Sequence, residues 1–379
     1  MECAGKAWRR RRFSAVVDAR MPAKHRRVKR CRAALATAVQ KSPAKSAEEY
    51  SRGELAKATL DKPSGTIAEC ALGARYVRFG LRDRHRLEYF AAHGSLIHMG
   101  VTPWKIGGEI FDLSSRGWIM GVLNVTPDSF SDGGGFFQTP QALAQARKMI
   151  ANGANIIDIG GESTRPGAEP VDVAEEKRRV IPVIEELAGE ALISIDTSKA
   201  EVAAAALDAG AKIVNDVTGG RGDDAMWPLL AKRGAAFIIM HMQGSPSTMQ
   251  RAPSYHDVVV EVADFFRQQY ACALKFGLDP MTLAFDPGIG FGKTLEHNLS
   301  LLKNLPRLRV NDRPLVVGVS RKSFLGKISG HNGSMHNRLL PTVAFTSLLR
   351  MNGADVLRVH DVEENVEALR VADALRSVP

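Results

Sequence analysis

Asp196, Asn215 and Asp286 offer two carboxylates and an amide, the groups that grip a flat heterocycle bearing amidine-like N–H donors and ring acceptors. Arg321, Lys322, Arg358 and His360 offer cations, and clustered Arg and Lys beside helix starts suit a phosphate or diphosphate. A neutral planar head with an anionic leaving group would use both sets. Each of these residues follows a short β-branched run. In chain order the polar residues so placed are Asn124, Asp158 with Glu162, Asp196, Asn215 with Asp216, His241, Asp286, Ser320 with Arg321 and Lys322, and Arg358 with His360. Any one of them alone reads best as the cap of a following helix. Repetition at nearly every run favours one shared site.

The elements that must hold them alternate. Strands are predicted at 118–123, 155–159, 192–195, 212–214, 237–240, 283–285, 315–319 and 356–359. Helical stretches follow, among them 140–151, 173–187, 199–209, 255–276, 341–351 and 363–375. Eight such units over about 260 residues predict an α/β chain folded as a (β/α)8 TIM barrel, with the strand ends converging on one mouth. The runner-up, a doubly wound sheet, would carry a glycine-rich dinucleotide turn after its first strand, and none is present. Two loops rich in Gly and Pro, N-V-T-P-D-S-F-S-D-G-G-G at 124–135 and G-G-E-S-T-R-P-G at 160–167, would sit at that mouth as lids.

Residues 99–379 are expected to form the catalytic domain. Residues 1–98 are expected to be a poorly patterned, basic and disordered extension. Residues 1–50 hold fourteen Lys or Arg against four acids, so the net charge of +10 belongs to this stretch and the rest is close to neutral. It reads in three ways: residues upstream of a true start at Met99, an Arg-rich and acid-poor organelle-targeting segment, or a tail touching nucleic acid or a partner. No base-reading motif or aromatic platform supports a nucleic-acid role. No apolar run approaches the roughly 20 residues of a membrane span. Cys3, Cys31, Cys70 and Cys272 are scattered with no C-x-x-C pair, which fits a reducing cytoplasm better than a disulfide or zinc framework.

Eight motifs in order carry a specific resemblance. W-I-M-G-V-L-N-V-T-P-D-S-F-S-D-G-G-G at 118–135 and A-N-I-I-D-I-G-G-E-S-T-R-P at 154–166 resemble the two signatures of the dihydropteroate synthases. The match continues through I-S-I-D-T (193–197), V-N-D-V (214–217), M-H-M-Q-G (240–244), F-D-P-G-I-G-F-G-K (285–293), S-R-K-S-F (320–324) and R-V-H-D-V (358–362). It runs from about residue 106 to the C-terminus. The resemblance implies condensation of a (7,8-dihydropterin-6-yl)methyl diphosphate with 4-aminobenzoate, by dissociative displacement at the pterin methylene. By position it implies that Asp196, Asn215, Asp286 and Lys322 hold the pterin between Met242 and Phe291. Asn124 would hold Mg²⁺, the expected cofactor, and would grip the diphosphate with Arg358 and His360. Phe130, Thr164, Arg165, Pro166 and Ser323 would shape the aminobenzoate pocket, which admits sulfonamides in this family. Asp196 and Lys322 would act in catalysis, with Asp132 a loop acid near the metal or the cation. A homodimer is implied as well. Leu340–Pro341 departs from the small residues that often open the helix there, which puts local geometry in question. As bare sequence, Met242 and Phe291 read equally as core, His360 as a helix start, and His241 as structural. Two rivals stay open: a methyltetrahydrofolate:corrinoid methyltransferase-like pterin enzyme, which needs neither S-R-K-S-F nor S-T-R-P-G, and a catalytically silent paralogue.

Overall fold

The computed structural model describes residues 89–90, 96–97, 101–126, 138–163, 169–245, 248–330 and 336–378. All of them fall in one compact unit, residues 83–379. Eight parallel strands build its centre: β5 (Trp118–Asn124), β6 (Ile156–Gly160), β7 (Leu192–Asp196), β8 (Ile213–Asp216), β9 (Ala236–Met240), β10 (Leu283–Asp286), β11 (Val316–Val317) and β12 (Val356–Val359). Their lateral order is β10-β9-β8-β7-β6-β5-β12-β11. A parallel bridge between Phe285 and Leu315 closes the ring, with the Phe285 N–H donating to the Pro314 carbonyl at 2.9 Å. The chain is therefore a (β/α)8 barrel.

Helices pack around it: α1 (Gln138–Ala151), α2 (Val173–Leu187), α3 (Ala200–Asp208), α4 (Met226–Arg233), α5 (Val258–Lys275), α6 (Leu295–Lys303), α7 (Leu305–Leu308), α8 (Ser323–Ser329), α9 (Leu339–Met351) and α10 (Val362–Arg376). Their starts are set chemically. Asp172 accepts the Glu175 N–H before α2, Asp257 accepts two N–H groups before α5, and Thr294 and His297 make a capping box on α6. The Asp257 cap is why α5 begins at Val258 and not at Tyr255. Pro341 sits in the first turn of α9, where its missing N–H costs no helical bond.

The alternation of side chains decides what faces where. Ile157, Ile193, Val214, Phe237, Phe285, Val317 and Leu357 point outward into the core beneath the helices. Met120, Ile156, Ile213, Ile238, Ala284, Val316 and Val356 point inward, and they close the lower end of the barrel with Trp104, Ile106 and Leu113. Trp104 and Ile106 come from, and Leu113 directly follows, a hairpin the sequence reading does not anticipate, β3 (Pro103–Ile106) paired antiparallel with β4 (Glu109–Asp112). The Trp104 indole N–H donates to the Thr282 carbonyl at 3.0 Å, and Arg313 reaches the Pro103 carbonyl at 3.1 Å. A short pair, β1 (Tyr89–Phe90) and β2 (Leu96–Ile97), precedes it where no periodicity is legible. The strand expected at 315–319 is a two-residue β11, because Pro314 lacks a donor and Gly318 packs little. Among the described residues no helix is long and apolar enough to cross a membrane.

Candidate active site

Inward parity extends from the barrel floor to its mouth. Stepping by two from Met120, Ile156, Ile213, Ala284 and Val356 leads to Asn124, Asp158 and Gly160, Asn215, Asp286 and Arg358, while Asp196 follows inward-facing Ser194. Strand register aligns Asn124 with Gly160, Gly160 with Asp196, and Asp196 with Asn215 in one lateral row. Gly160 keeps that row open. A Cβ there would stand 3.5 Å from the Asp196 Cβ and 3.8 Å from Asn124 Oδ1.

Arg358 crosses the mouth. Its Nε donates to Asp158 Oδ2 at 2.6 Å and its Nη2 to Asp196 Oδ2 at 2.7 Å. Asn215 Nδ2 donates to the same Asp158 oxygen at 3.0 Å. Burial pushes the Asp196 carboxyl up to about 7; Arg358 opposes this, and Asp158, Asp216 and Glu176 add to it. Burial also works against the Arg358 charge, yet Asp158 and Asp196 outweigh it and hold the guanidinium above its usual value.

Asp286 and Lys322 face each other from the far side. Asp286 Oδ1 accepts the Gly288 N–H at 2.7 Å, and burial raises its carboxyl against the pull of Lys322, Arg358 and Lys293. Lys322 donates to the Ile289 carbonyl, and its Nζ lies 5.0 Å from the centre of the Phe291 ring. Burial lowers its amine to about 8, with Asp286 opposing. Arg321, just before it, takes the left-handed conformation with φ 58°. That strain is held by Arg321 N–H to Thr342 Oγ1 at 3.2 Å, by Arg338 on its carbonyl at 2.9 Å, and by an ion pair with Asp361.

The apolar wall is one cluster of Val217, Met240, Met242 and Met249, with Phe291 packed against it. Ser323 opens α8 beside Lys322, exposed at the rim. His360 binds Ser320 Oγ through its backbone N–H at 3.1 Å and through Nδ1 at 3.0 Å. Phe130, Asp132, Thr164, Arg165 and Pro166, with most of both glycine-rich loops, lie outside the described residues.

Four strand-end residues leave the convergent set, and His241, packed against Tyr255 and Phe265, is one of them. Asp216 points out of the barrel and closes its own turn, accepting from the Thr218 and Gly220 N–H groups at 2.7 and 2.8 Å. Glu162 is paired with Lys199, which also holds buried Glu176 at 2.5 Å. Arg321 is engaged as described. Sequence reasoning missed Lys293, quoted in F-D-P-G-I-G-F-G-K and given no role. Its buried amine meets His241 Nδ1 at 3.0 Å and the carbonyls of His241, Gly288 and Phe291 at 3.2, 3.0 and 2.9 Å. Its signal was a lysine ending a run of four glycine-separated residues, a short glycine-rich stretch that leaves an amine few side chains to reach. Arg221 was missed as well; it donates to the Met242 carbonyl at 2.9 Å and lies over the Phe265 ring at 4.7 Å.

A family model described as pterin binding enzyme matches residues 120–360. A dihydropteroate synthase of Synechocystis sp. is 47% identical over 275 residues, which cover 72% of this chain and 95% of that protein. A solved Xanthomonas albilineans dihydropteroate synthase with 4-aminobenzoic acid is 42% identical with a TM-score of 0.68, covering 74% of this chain and 100% of that one. A solved Yersinia pestis dihydropteroate synthase with a sulfonamide drug complex is 43% identical, also at 0.68, covering 73% and 100%. Residues 120–360 contain seven of the barrel strands whole and β5 from Met120, and the chain covers such relatives almost end to end. The chain belongs to the pterin-binding enzymes, among the dihydropteroate synthases.

Proposed function

We propose that the protein condenses (7,8-dihydropterin-6-yl)methyl diphosphate with 4-aminobenzoate, giving 7,8-dihydropteroate and diphosphate. The observation that carries this is the single mouth shared by Asp196, Asn215, Asp286, Lys322 and Arg358, linked by hydrogen bonds and by facing charges. The carboxylates and the amide suit the pterin's amidine edge, Lys322 its carbonyl and ring nitrogen, and Met242 with Phe291 its faces. By the resemblance, Arg358 and His360 would bind the diphosphate, and Ser323 would help shape the aminobenzoate pocket. Phe130, Thr164, Arg165 and Pro166 belong to the same proposed pocket.

In the reaction the bond between the methylene carbon and the diphosphate oxygen breaks first, and its electron pair leaves with the diphosphate. The cation left behind spreads into the dihydropterin ring. Asp196 and Asp286 stabilise it there, from a site where low polarity strengthens every charge. The amine nitrogen then bonds to the carbon and loses a proton. Closure of the two glycine-rich loops would keep water from competing with the amine, with Asp132 a loop acid near the cation.

Mg²⁺ fits this site on donor chemistry. Asn124 brings a hard amide oxygen to the row beside Asp196, and the described residues hold no group of three or more His, Cys, Asp or Glu able to bind a metal alone. Asn124 would hold the ion together with diphosphate oxygens and water, and the bound ion would neutralise charge on the leaving group.

The protein is proposed to act as a homodimer through α9 and α10, where Leu348, Val371 and Leu375 are 62%, 59% and 62% exposed. We place it in the cytoplasm, with organelle targeting by the N-terminal extension, residues 1–98, as the second reading.

The test is an assay of purified protein with the dihydropterin diphosphate, labelled 4-aminobenzoate and Mg²⁺. Dihydropteroate and diphosphate should form in equal amounts, and a sulfonamide should compete with 4-aminobenzoate and not with the pterin. No product under these conditions refutes the proposal.

A further inference from the structure

Asp158 has no part in the reaction as set out above, yet both of its hydrogen-bonding neighbours, Asn215 and Arg358, do. It lies inside the barrel on β6, fully buried, one inward step below Gly160. Its Oδ2 takes a proton donor from Asn215 Nδ2 at 3.0 Å and another from Arg358 Nε at 2.6 Å. Arg358 in turn holds Asp196 at 2.7 Å. Its second oxygen, Oδ1, is buried without a hydrogen-bond partner among the described residues. A buried carboxylate that is only partly satisfied is costly for stability alone.

A carboxylate paired with arginine accepts and does not donate. Only the Nδ2 end of Asn215 can therefore turn toward Asp158. That fixes the amide, whose two ends otherwise have nearly the same shape, and leaves Oδ1 as the end offered to a ligand. The same oxygen anchors the Nε edge of Arg358, so the guanidinium can only pivot about that bond.

We infer that Asp158 is a positioning residue for pterin recognition, which locks the Asn215 amide with its acceptor toward the substrate and anchors Arg358 between the ring and the diphosphate. This rests on the proposed pterin site. It adds a specificity device to that site: with Asn215 locked, a ring edge that donates is accepted and one that only accepts is refused.

The test compares wild type with Asp158→Asn, Asn215→Ala and the double variant. Replacing Asp158 by Asn lets either end of the Asn215 amide face the pocket. The KM for the pterin diphosphate should rise about 10- to 100-fold, the range for losing a charge-assisted hydrogen bond that orients a binding group. The KM for 4-aminobenzoate should stay within about twofold, since the two partners of Asp158 face the pterin side. Calorimetry with free 6-hydroxymethyl-7,8-dihydropterin should show the same weakening. In the Asn215→Ala background, Asp158→Asn should add little to the loss of free-pterin binding.

A variant that lowers thermal stability but leaves the pterin KM unchanged, or raises both KM values alike, overturns the inference. So does full additivity in the double variant. If Asp158→Asn does not fold, the wild type decides by nuclear magnetic resonance. The Asn215 side-chain amide protons, assigned by their loss in Asn215→Ala, should exchange slowly with and without free pterin; rapid exchange overturns the inference. A wild type that binds no pterin brings down the site reading itself, an outcome unlike any of these.

Discussion

Lys293 shows how strongly one side chain can be loaded. It is 3% exposed, and four acceptors surround its amine: three carbonyls and His241 Nδ1. These bonds tie the loop after β10, which carries Phe291, to the end of β9, which carries Met242. Burial pushes the amine down to about 7 from an ordinary 10.5; Asp286 resists, while Lys322 and Arg221 assist. His241 is driven to about 2 by burial, then by Lys293 and Arg221, so the ring is neutral and its Nδ1 lone pair accepts. Because the folded value lies below the ordinary one, the unfolded chain binds more protons between about pH 7 and 10.5. Stability contributed through this group is therefore lowest below pH 7 and climbs across that window. Lys322, lowered to about 8, adds a climb of the same sign above pH 8. Asp196 has the opposite sign, its raised carboxyl costing stability as pH rises from 3.8 to about 7, a window that ends where the other begins. In Lys293→Met the first climb should vanish. Denaturant unfolding at pH 7, 8 and 9 should show wild type gaining on the variant by up to about 1.4 kcal/mol per pH unit. A difference that stays flat with pH would show that Lys293 is not buried as a titrating group.

At the scale of elements, the hairpin of β3 and β4 is the floor on which the mouth depends, although it lies at the opposite end of the barrel. Trp104 and Ile106 fill the space below the inward-facing Met120, Ile238 and Ala284. Trp104→Ala should cost about 3–5 kcal/mol of unfolding free energy, as large-to-small changes in a packed core do. Both KM values should stay near wild type, because none of the described side chains at the mouth belongs to its packing cluster. A large KM change with little loss of stability would contradict the floor role. This hairpin was also legible in principle. Alternating residues on either side of Gly107–Gly108 are a two-residue turn signal, and both glycines take positive φ, 59° and 93°. It was missed because the regular pattern of β-branched runs starts only at Trp118. The barrel strands were legible since each is a short apolar run ending in a polar residue. The site was legible for Asp196, Asn215, Asp286 and Lys322, and less so where parity matters. Asn215 and Asp216 are neighbours with opposite fates, one inward to the mouth and one outward to its own turn. Counting strand ends joins them; counting by twos from the barrel floor separates them. What no single sequence displays is pairing across the ring, such as Arg358 reaching Asp158 from a strand 200 residues away.

For the whole molecule, the charge distribution separates two parts with different physics. The Xanthomonas and Yersinia structures match this chain over their whole length while covering about three quarters of it, so a barrel of this kind folds without a counterpart to the first hundred residues. Its core is closed at the floor by its own hairpin, and all of its described site residues lie above that floor. The basic excess of residues 1–50 is then a local property, and the remaining chain carries almost no net charge to steer a polyanion. The protein lacking residues 1–98 should keep kcat/KM for both substrates within about twofold, since the solved relatives match this chain over their whole length with no counterpart to those residues. The proposed dimer should also survive, because Leu348, Val371 and Leu375 sit on α9 and α10 and are untouched by the truncation. Sedimentation should give twice the mass of the shortened chain, and Leu348→Glu in that background should halve it by placing a charge in an apolar contact. A truncated protein that folds but has lost turnover would place part of the active site in the removed residues. One that sediments as a monomer at every concentration would remove α9 and α10 as the dimer contact.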